Sequence, residues 1–235
     1  MAASDKVVSD RSRVLAERQV RRWELQHPAA GGARRPSPCV AISRLPGAGG
    51  AEVGQLVARW LDYGFFGQQI VDEIAREVGL DHWVVKGLDE RVRSAIDRYV
   101  ADVFTHRKFT EDDYLWHVSR TVATLGRRGS AVVVGRGAAF LLSRDVALRV
   151  LVVAPRERRI QRYATVKNLP PDQAAAALDR AEQQRAEFAK LQFGVRQDDP
   201  LHYDLVLNTG ALSIEAAAGV VVDTLRRRFP ASPGG

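Results

Sequence analysis

The chain has 235 residues, 46% of them hydrophobic and 27% charged, which is enough apolar material for a sizeable core and too much for a disordered polymer. Its 35 Lys and Arg against 28 Asp and Glu give a formal net charge of +7, and only five of the basic residues are lysines (Lys6, Lys86, Lys108, Lys167 and Lys190). A single cysteine, Cys39, excludes an internal disulfide framework and a Cys-cluster zinc site, and no apolar run approaches the roughly 20 residues of a membrane span.

Residues 1–38 hold eight basic and four acidic groups, about +4 of the total. Their charged start, without a signal-peptide core, sets a cytoplasmic protein as the expectation. The pattern over 6–26 predicts a polar helix with a thin apolar set, Val7, Val14, Leu15 and Trp23. The Pro- and Gly-rich stretch 28–38 predicts a linker, because it can hold neither a helix nor a sheet ladder. A compact domain is expected over 39–229, and the tail 230–235 is expected to be disordered.

Cys39-Val-Ala-Ile-Ser43 is a short apolar run before a glycine-rich turn and predicts a buried strand. Val53, Leu56, Val57, Trp60 and Leu61 repeat at helical spacing, and Phe65-Phe66 predicts a very short second strand. Apolar sets over 70–78, ended by Gly79, and over 92–103 predict two further helices. Thr110 with Asp113 three residues on predicts a capping box opening a helix that Arg127, Arg128 and Gly129 end. Ala131–Val134 and Leu148–Val153 are β-branched runs without alternation, which suits strands buried on both faces. Pro155 opens one helix, a long helix spans about 172–192, Tyr203–Leu207 is a last strand, and Ser213 caps a final helix. Strands separated by helices predict an α/β domain with a parallel sheet covered on both sides.

The chemistry is concentrated in Ile42-Ser-Arg-Leu-Pro-Gly-Ala-Gly-Gly-Ala-Glu52. A strand runs into a loop with Gly47, Gly49 and Gly50, and a helix follows at once. Backbone N–H groups turned toward one point, at the positive end of a helix dipole, form an anion cradle suited to phosphates. The full consensus would place Lys at 50 and Ser or Thr at 51, where this chain has Gly50 and Ala51. A tight strand-to-helix turn without a ligand is the alternative.

The order Ile-Ser-Arg…Gly-x-Gly-Gly-x-Glu at 42–52, Val-Val-Val-Gly-Arg-Gly-Ala at 132–138, Leu-Arg-Val-Leu-Val-Val-Ala-Pro at 148–155 and Tyr-Asp-Leu-Val-Leu-Asn-Thr at 203–209 resembles the cytidylate kinase-like family of P-loop nucleoside monophosphate kinases, over roughly 39–228. The resemblance implies a three-layer P-loop NTPase fold with a five-stranded parallel sheet, a helical NMP-binding region near 65–125 and an arginine-bearing lid near 156–196. It implies ATP and Mg²⁺ as cofactors and a nucleotide or other small phosphate-bearing substrate. Ser43, Arg44, Gly47, Ala48, Gly49, Gly50, Ala51 and Glu52 would hold the nucleotide, and Arg136, Arg162 and Arg185 would serve the chemistry. Gly50 stands where authentic cytidylate kinases have lysine and where the kinase-like branch often carries Gly-Gly, Gly137 where the Gly-Arg-Asp motif of true cytidylate kinases has its acid, and Gly67 where an Asp often follows the paired aromatics.

Each arginine has a bland alternative. Arg136, after a buried strand, forks onto an acceptor phosphate or makes a structural salt bridge. Arg44 replaces the lysine charge or is a solvated loop residue. Arg156, Arg158, Arg159 and Arg162 line a cleft or form a solvated helix face, and Arg185 serves a lid or pairs with Glu182 at the surface. Asp72, Asp89 and Glu52 are candidate carboxylates. His27, His82, His106, His117 and His202 lack metal-ligand spacing, so no metal residues are assigned, and Cys39 is expected to act as a small buried hydrophobe.

Three functions follow: an ATP-dependent phosphotransferase acting on a small acceptor such as a nucleoside monophosphate, a catalytically inactive nucleotide-binding regulator, and an interaction protein acting through its basic N-terminal helix. That helix could dock on nucleic acid, an anionic surface, a homodimer mate or the protein's own domain. The core lacks nucleic-acid-reading signatures.

Overall fold

Apolar runs with no polar alternation bury both faces of a strand, and here they form the middle of a parallel sheet. A computed structural model describes residues 16, 18, 20–26, 36–76, 90–104 and 113–230. The described elements in chain order are a helical segment over 20–26 (α1), β1 (Cys39–Arg44), α2 (Gly50–Leu61), β2 (Gly64–Phe66), α3 (Gln68–Arg76), α4 (Glu90–Val103), α5 (Tyr114–Arg128), β3 (Ala131–Val134), α6 (Ala138–Leu141), β4 (Ala147–Val153), α7 (Arg156–Lys167), α8 (Pro171–Phe193), a 3₁₀ turn (Pro200–His202), β5 (Leu205–Asn208) and α9 (Ile214–Arg228).

The strands lie in the order β2-β3-β1-β4-β5, and every pair is parallel. Side chains alternate between two cores. Cys39, Ala41, Val133 and Leu151 face a layer with α3, α4, α5 and α6. Val40, Ile42, Val132 and Val150 face α2 and α9. The result is the three-layer P-loop kinase-type α/β fold, with α7 and α8 packed together as a separate hairpin. None of the described helices is long and apolar enough to cross a membrane.

Most elements match their expected positions, and the differences have local causes. Asp113 is itself the N-cap of α5, accepting from Leu115 N at 2.9 Å, where the third position of a box was expected for it, and Thr110 lies outside the described residues. Ser213 caps α9 as expected, accepting from Ala216 N at 3.1 Å. Tyr203 lies in the turn before β5, and the strand begins at Leu205. The four-residue α6 carries no periodicity of its own and was not expected. The helix end expected at Gly79 and the tail 231–235 lie outside the described residues.

The N-terminal segment joins the core. Trp23 is fully buried, its indole Nε1 donates to Ser130 O at 2.9 Å, and its ring meets Phe66 edge-on at 5.3 Å. The Arg128 guanidinium lies 4.6 Å over the indole and pairs with Glu24 at 3.0 Å. Ala16 and Val20 are buried in the same layer. This face of the helix is therefore spent on the protein's own domain and is closed to a dimer mate. Cys39 behaves as the small hydrophobe expected: its thiol donates to Leu125 O at 3.4 Å, and burial pushes its pKa up to about 12.

Candidate functional site

The carboxyl ends of β1, β3, β4 and β5 form one edge, the place where open parallel sheets hold ligands. Leu45 N extends the ladder to Val152 O at 3.0 Å, and the chain then turns into α2 through Gly47 and Gly49, with φ of 74° and 78°. A Cβ on Gly47 would overlap the Arg159 carbonyl, so only glycine lets the loop pass under α7. No side chain caps α2, whose first backbone bond runs from Val53 N to Gly49 O at 3.0 Å. The N–H groups of its first turn are thus left for an external acceptor.

The loop is braced from behind. Thr209 Oγ1, just after β5, donates to Ala48 O at 2.7 Å and lies 3.2 Å from Val153 O. Arg159 is buried, with Nε on Ala154 O at 3.0 Å and Nη1 on Pro46 O at 3.5 Å and Glu182 Oε2 at 3.0 Å. Arg162 Nη1 donates to Gly47 O at 3.3 Å. Two of the four α7 arginines therefore hold the loop, against the expectation of a solvated face. Arg158 is exposed, and Arg156 makes an exposed pair with Asp179 at 2.8 Å.

In front of the loop three guanidiniums converge. Arg44, at the end of β1, is not a solvated loop residue. Its Nη2 donates to Gln68 Oε1 at 3.2 Å, and its carbonyl accepts from Arg185 Nη1 at 3.0 Å and Gln197 Nε2 at 3.3 Å. Burial, then the neighbouring Arg185 and Arg136, push its pKa down to about 9. Arg185 is lowered as well, chiefly by burial, with Tyr163 opposing and Arg136 adding to the effect. Arg185 reaches the loop and not Glu182, whose carboxylate is taken by Arg159. Among the described residues neither Arg44 nor Arg185 forms a salt bridge. A guanidinium keeps its proton at neutral pH regardless, so the lowered values reflect positive charge that is partly desolvated and crowded by like charge, with Glu182 opposing the effect at Arg185.

Arg136 sits in a left-handed conformation, φ 52°, between Gly135 and Gly137. It forks onto Asp72 through Nε and Nη2, and Tyr114 Oη donates to the same carboxylate at 2.6 Å. Its expected alternative, a salt bridge, is thus present. Asp72 is the candidate carboxylate brought to the site, while Asp89 lies outside the described residues. Of the other loop residues, Ser43, Ala48 and Gly50 are buried, Ala51 is exposed and Glu52 is half-buried. A cleft of about 310 Å³ opens beside Leu45, between Glu182, Ala186, Lys190 and Gln197. Its walls carry both charge signs, so the positive field belongs to the Arg44–Arg136–Arg185 cluster.

Gln68, Gln197 and the Tyr114–Asp72 pair were not anticipated, because no local pattern marks a polar side chain whose partner is distant in sequence. Thr209 had a signal, as the last residue of the 203–209 motif.

The cytidylate kinase-like family model matches residues 39–211. A cytidylate kinase of Methanocaldococcus jannaschii is 25% identical over 199 residues, covering 80% of this chain and 99% of that protein. A cytidylate kinase of Aeropyrum pernix is 28% identical over 192 residues, covering 80% and 98%. The crystal structure of an uncharacterized protein from Eubacterium ventriosum shares the fold with a TM-score of 0.64 at 15% identity, covering 81% of this chain and 99% of that one. The family match takes in the glycine loop, all five strands and the α7–α8 hairpin, and the chain belongs to the cytidylate kinase-like family of nucleotide-binding phosphotransferases.

Proposed function

We propose that the protein transfers a phosphoryl group from ATP, held at the Gly47–Glu52 loop, to the phosphate of a nucleoside monophosphate held near Arg136 and Arg185. The observation that carries this is the pair of desolvated guanidiniums, Arg44 and Arg185, facing an uncapped helix start with no carboxylate of their own. An anion there would relieve the repulsion between the guanidiniums, and preorganised positive charge is what phosphoryl transfer requires.

The state of Asp72 favours a phosphate acceptor over an alcohol. An alcohol must lose a proton to a base, whereas a phosphate oxygen is already ionised. Asp72 is engaged by Arg136 on both oxygens and by Tyr114, and has little left to offer as a base. The cytidylate kinases among its relatives make CMP the acceptor to try first.

The loop suits the phosphates of ATP, through the first N–H groups of α2 with Arg44 and Arg162 beside them. Side chains for directly held Mg²⁺ do not fit as well. Ala51 has no hydroxyl, Asp72 is engaged, and no group of three or more His, Cys, Asp or Glu that could hold a metal gathers among the described residues. A magnesium ion would neutralise phosphate charge when bound, and the arginines carry that work in this reading.

The test is a thermal-melt series with ATP, ADP, CMP and UMP, followed by coupled ADP-release assays across monophosphate and alcohol acceptors. ADP release that requires a nucleoside monophosphate is expected. The absence of any nucleotide-dependent shift would overturn the proposal. Gly50 and Ala51 favour a second reading, a regulator that binds nucleotide without turnover. It predicts a melt shift with no ADP release.

A further inference from the structure

The lysine missing from the loop and the half-buried Arg44 beside it are two parts of one arrangement. A Cβ on Gly50 would lie 2.5 Å from Arg44 Cβ and 3.0 Å from Arg44 Cγ. The stem of Arg44 therefore occupies the space where a side chain at 50 would have to start. At the far end, a Cβ on Gly135 would overlap Arg44 Nη1. The Arg44 side chain thus stretches from the first residue of α2 to the turn after β3. It spans from the loop that would hold the donor phosphates to the turn that carries Arg136.

We infer that Arg44 takes over the work of the absent loop lysine from the end of β1, and that its guanidinium contacts the phosphate passing between donor and acceptor. Gly50 and Gly135 are then the residues that make room for it. A lysine at 50 and Arg44 in this position exclude each other sterically, so Gly50 marks a relocated cation and not a lost one. The inference rests on the reading that the loop holds a nucleoside triphosphate.

A purely structural arginine would be held by a carboxylate or by several carbonyls. Among the described residues the Arg44 guanidinium has one side-chain bond, to the neutral amide of Gln68, and two like charges beside it. The acid at hand, Asp72, is spent on Arg136. Among the described residues only Arg136 of the three guanidiniums is in a salt bridge, while Glu182 acts on Arg185 from its own pair with Arg159, and a phosphate group adds the negative charge the cluster lacks. A planar fork also suits the role, because it can touch two phosphate oxygens at once where an ammonium is a point charge.

The experiment compares wild type, Arg44→Met and Arg44→Lys. Methionine keeps the apolar stem and removes the charge, and lysine keeps the charge. Inorganic tripolyphosphate binding is measured by calorimetry, the ligand-free melting midpoint by scanning, and turnover with ATP and CMP by ADP release. For Arg44→Met, tripolyphosphate binding at least about tenfold weaker and turnover down about 10²–10³-fold are expected. Its ligand-free melting midpoint should stay at or above that of wild type, since a desolvated like charge has been removed. Arg44→Lys should recover part of the binding.

Equal tripolyphosphate affinity in wild type and Arg44→Met overturns the inference, and so does a lack of binding by wild type. Equal loss in Arg44→Met and Arg44→Lys together with a lower melting midpoint in both also overturns it, since that is the behaviour of a brace. Tripolyphosphate binding that depends on Arg44, with no turnover of any monophosphate, leaves the anion role standing and removes the phosphotransferase reading alone.

Discussion

Arg136 and Asp72 are joined through both guanidinium edge nitrogens and both carboxylate oxygens, which ties the turn after β3 to helix α3. Side-chain exposures of 23% and 11% leave the pair open on one side only. Arg136 is therefore held in place without a ligand.

Arg136→Ala should reduce acceptor-dependent turnover by about 10²–10³-fold while leaving the ATP-induced thermal shift in place. Steady-state kinetics with CMP varied at saturating ATP checks this, and unchanged acceptor kinetics would count against the assigned site. Asp72→Asn keeps the shape and removes the counter-charge. It should cost about 1–3 kcal/mol in chemical denaturation, because Arg136 is left partly desolvated without a charged partner.

Trp23→Ala should destabilise the protein by about 3–5 kcal/mol, through the lost indole packing on Phe66 and the lost indole bond to Ser130 O, which keeps only its bond from Gly64 N. Removal of residues 1–38 should do at least as much. Urea denaturation measures both. A truncated protein as stable as the full chain would mean that the helix does not contribute to the core.

Thr209→Val removes the hydroxyl that donates to Ala48 O and leaves the Thr209 backbone bond to Val153 O in place. A loss of about 1 kcal/mol is expected, with a higher KM for ATP and little change in the KM for the acceptor. Equal changes in both would show that Thr209 does not act through the glycine loop.

Cys39 should resist thiol reagents in the folded protein. Burial favours the neutral thiol, so at pH 8 only about one molecule in 10⁴ carries a thiolate, given a pKa near 12. The native protein should therefore label more slowly than the unfolded chain at any pH below about 12. Ellman-type titration with and without denaturant tests this, and rapid labelling of the native state would refute it.

The central strands β1, β3 and β4 were legible because each is a short run of mostly buried apolar residues, a property of composition that needs no knowledge of partners, whereas the edge strand β5 leaves Val206 and Asn208 exposed and was legible by its apolar sequence alone. The α2, α9 and α5 boundaries were legible for a related reason: Gly49, Ser213 and Asp113 act on backbone groups within three residues of themselves. The capping error at Thr110 shows the limit of that rule. Two polar residues three apart fit the pattern, and only the backbone path shows which one the helix starts from.

The arginines were legible as a set and illegible as individuals. A guanidinium on a long stem can turn to solvent, a carbonyl or a carboxylate, and the sequence around it does not choose. The partner of Arg136 is 64 positions away, Arg185 reaches a carbonyl 141 positions away, and Arg162 one 115 positions away. Local pattern determined that this protein has a parallel sheet and a glycine loop opening a helix, because periodicity and φ preference act over a few residues. Tertiary structure alone decided which arginines brace that loop and which three stand together in front of it. Strand order sets the place of each guanidinium, and its charge is left unneutralised or paired according to what distant segments bring beside it.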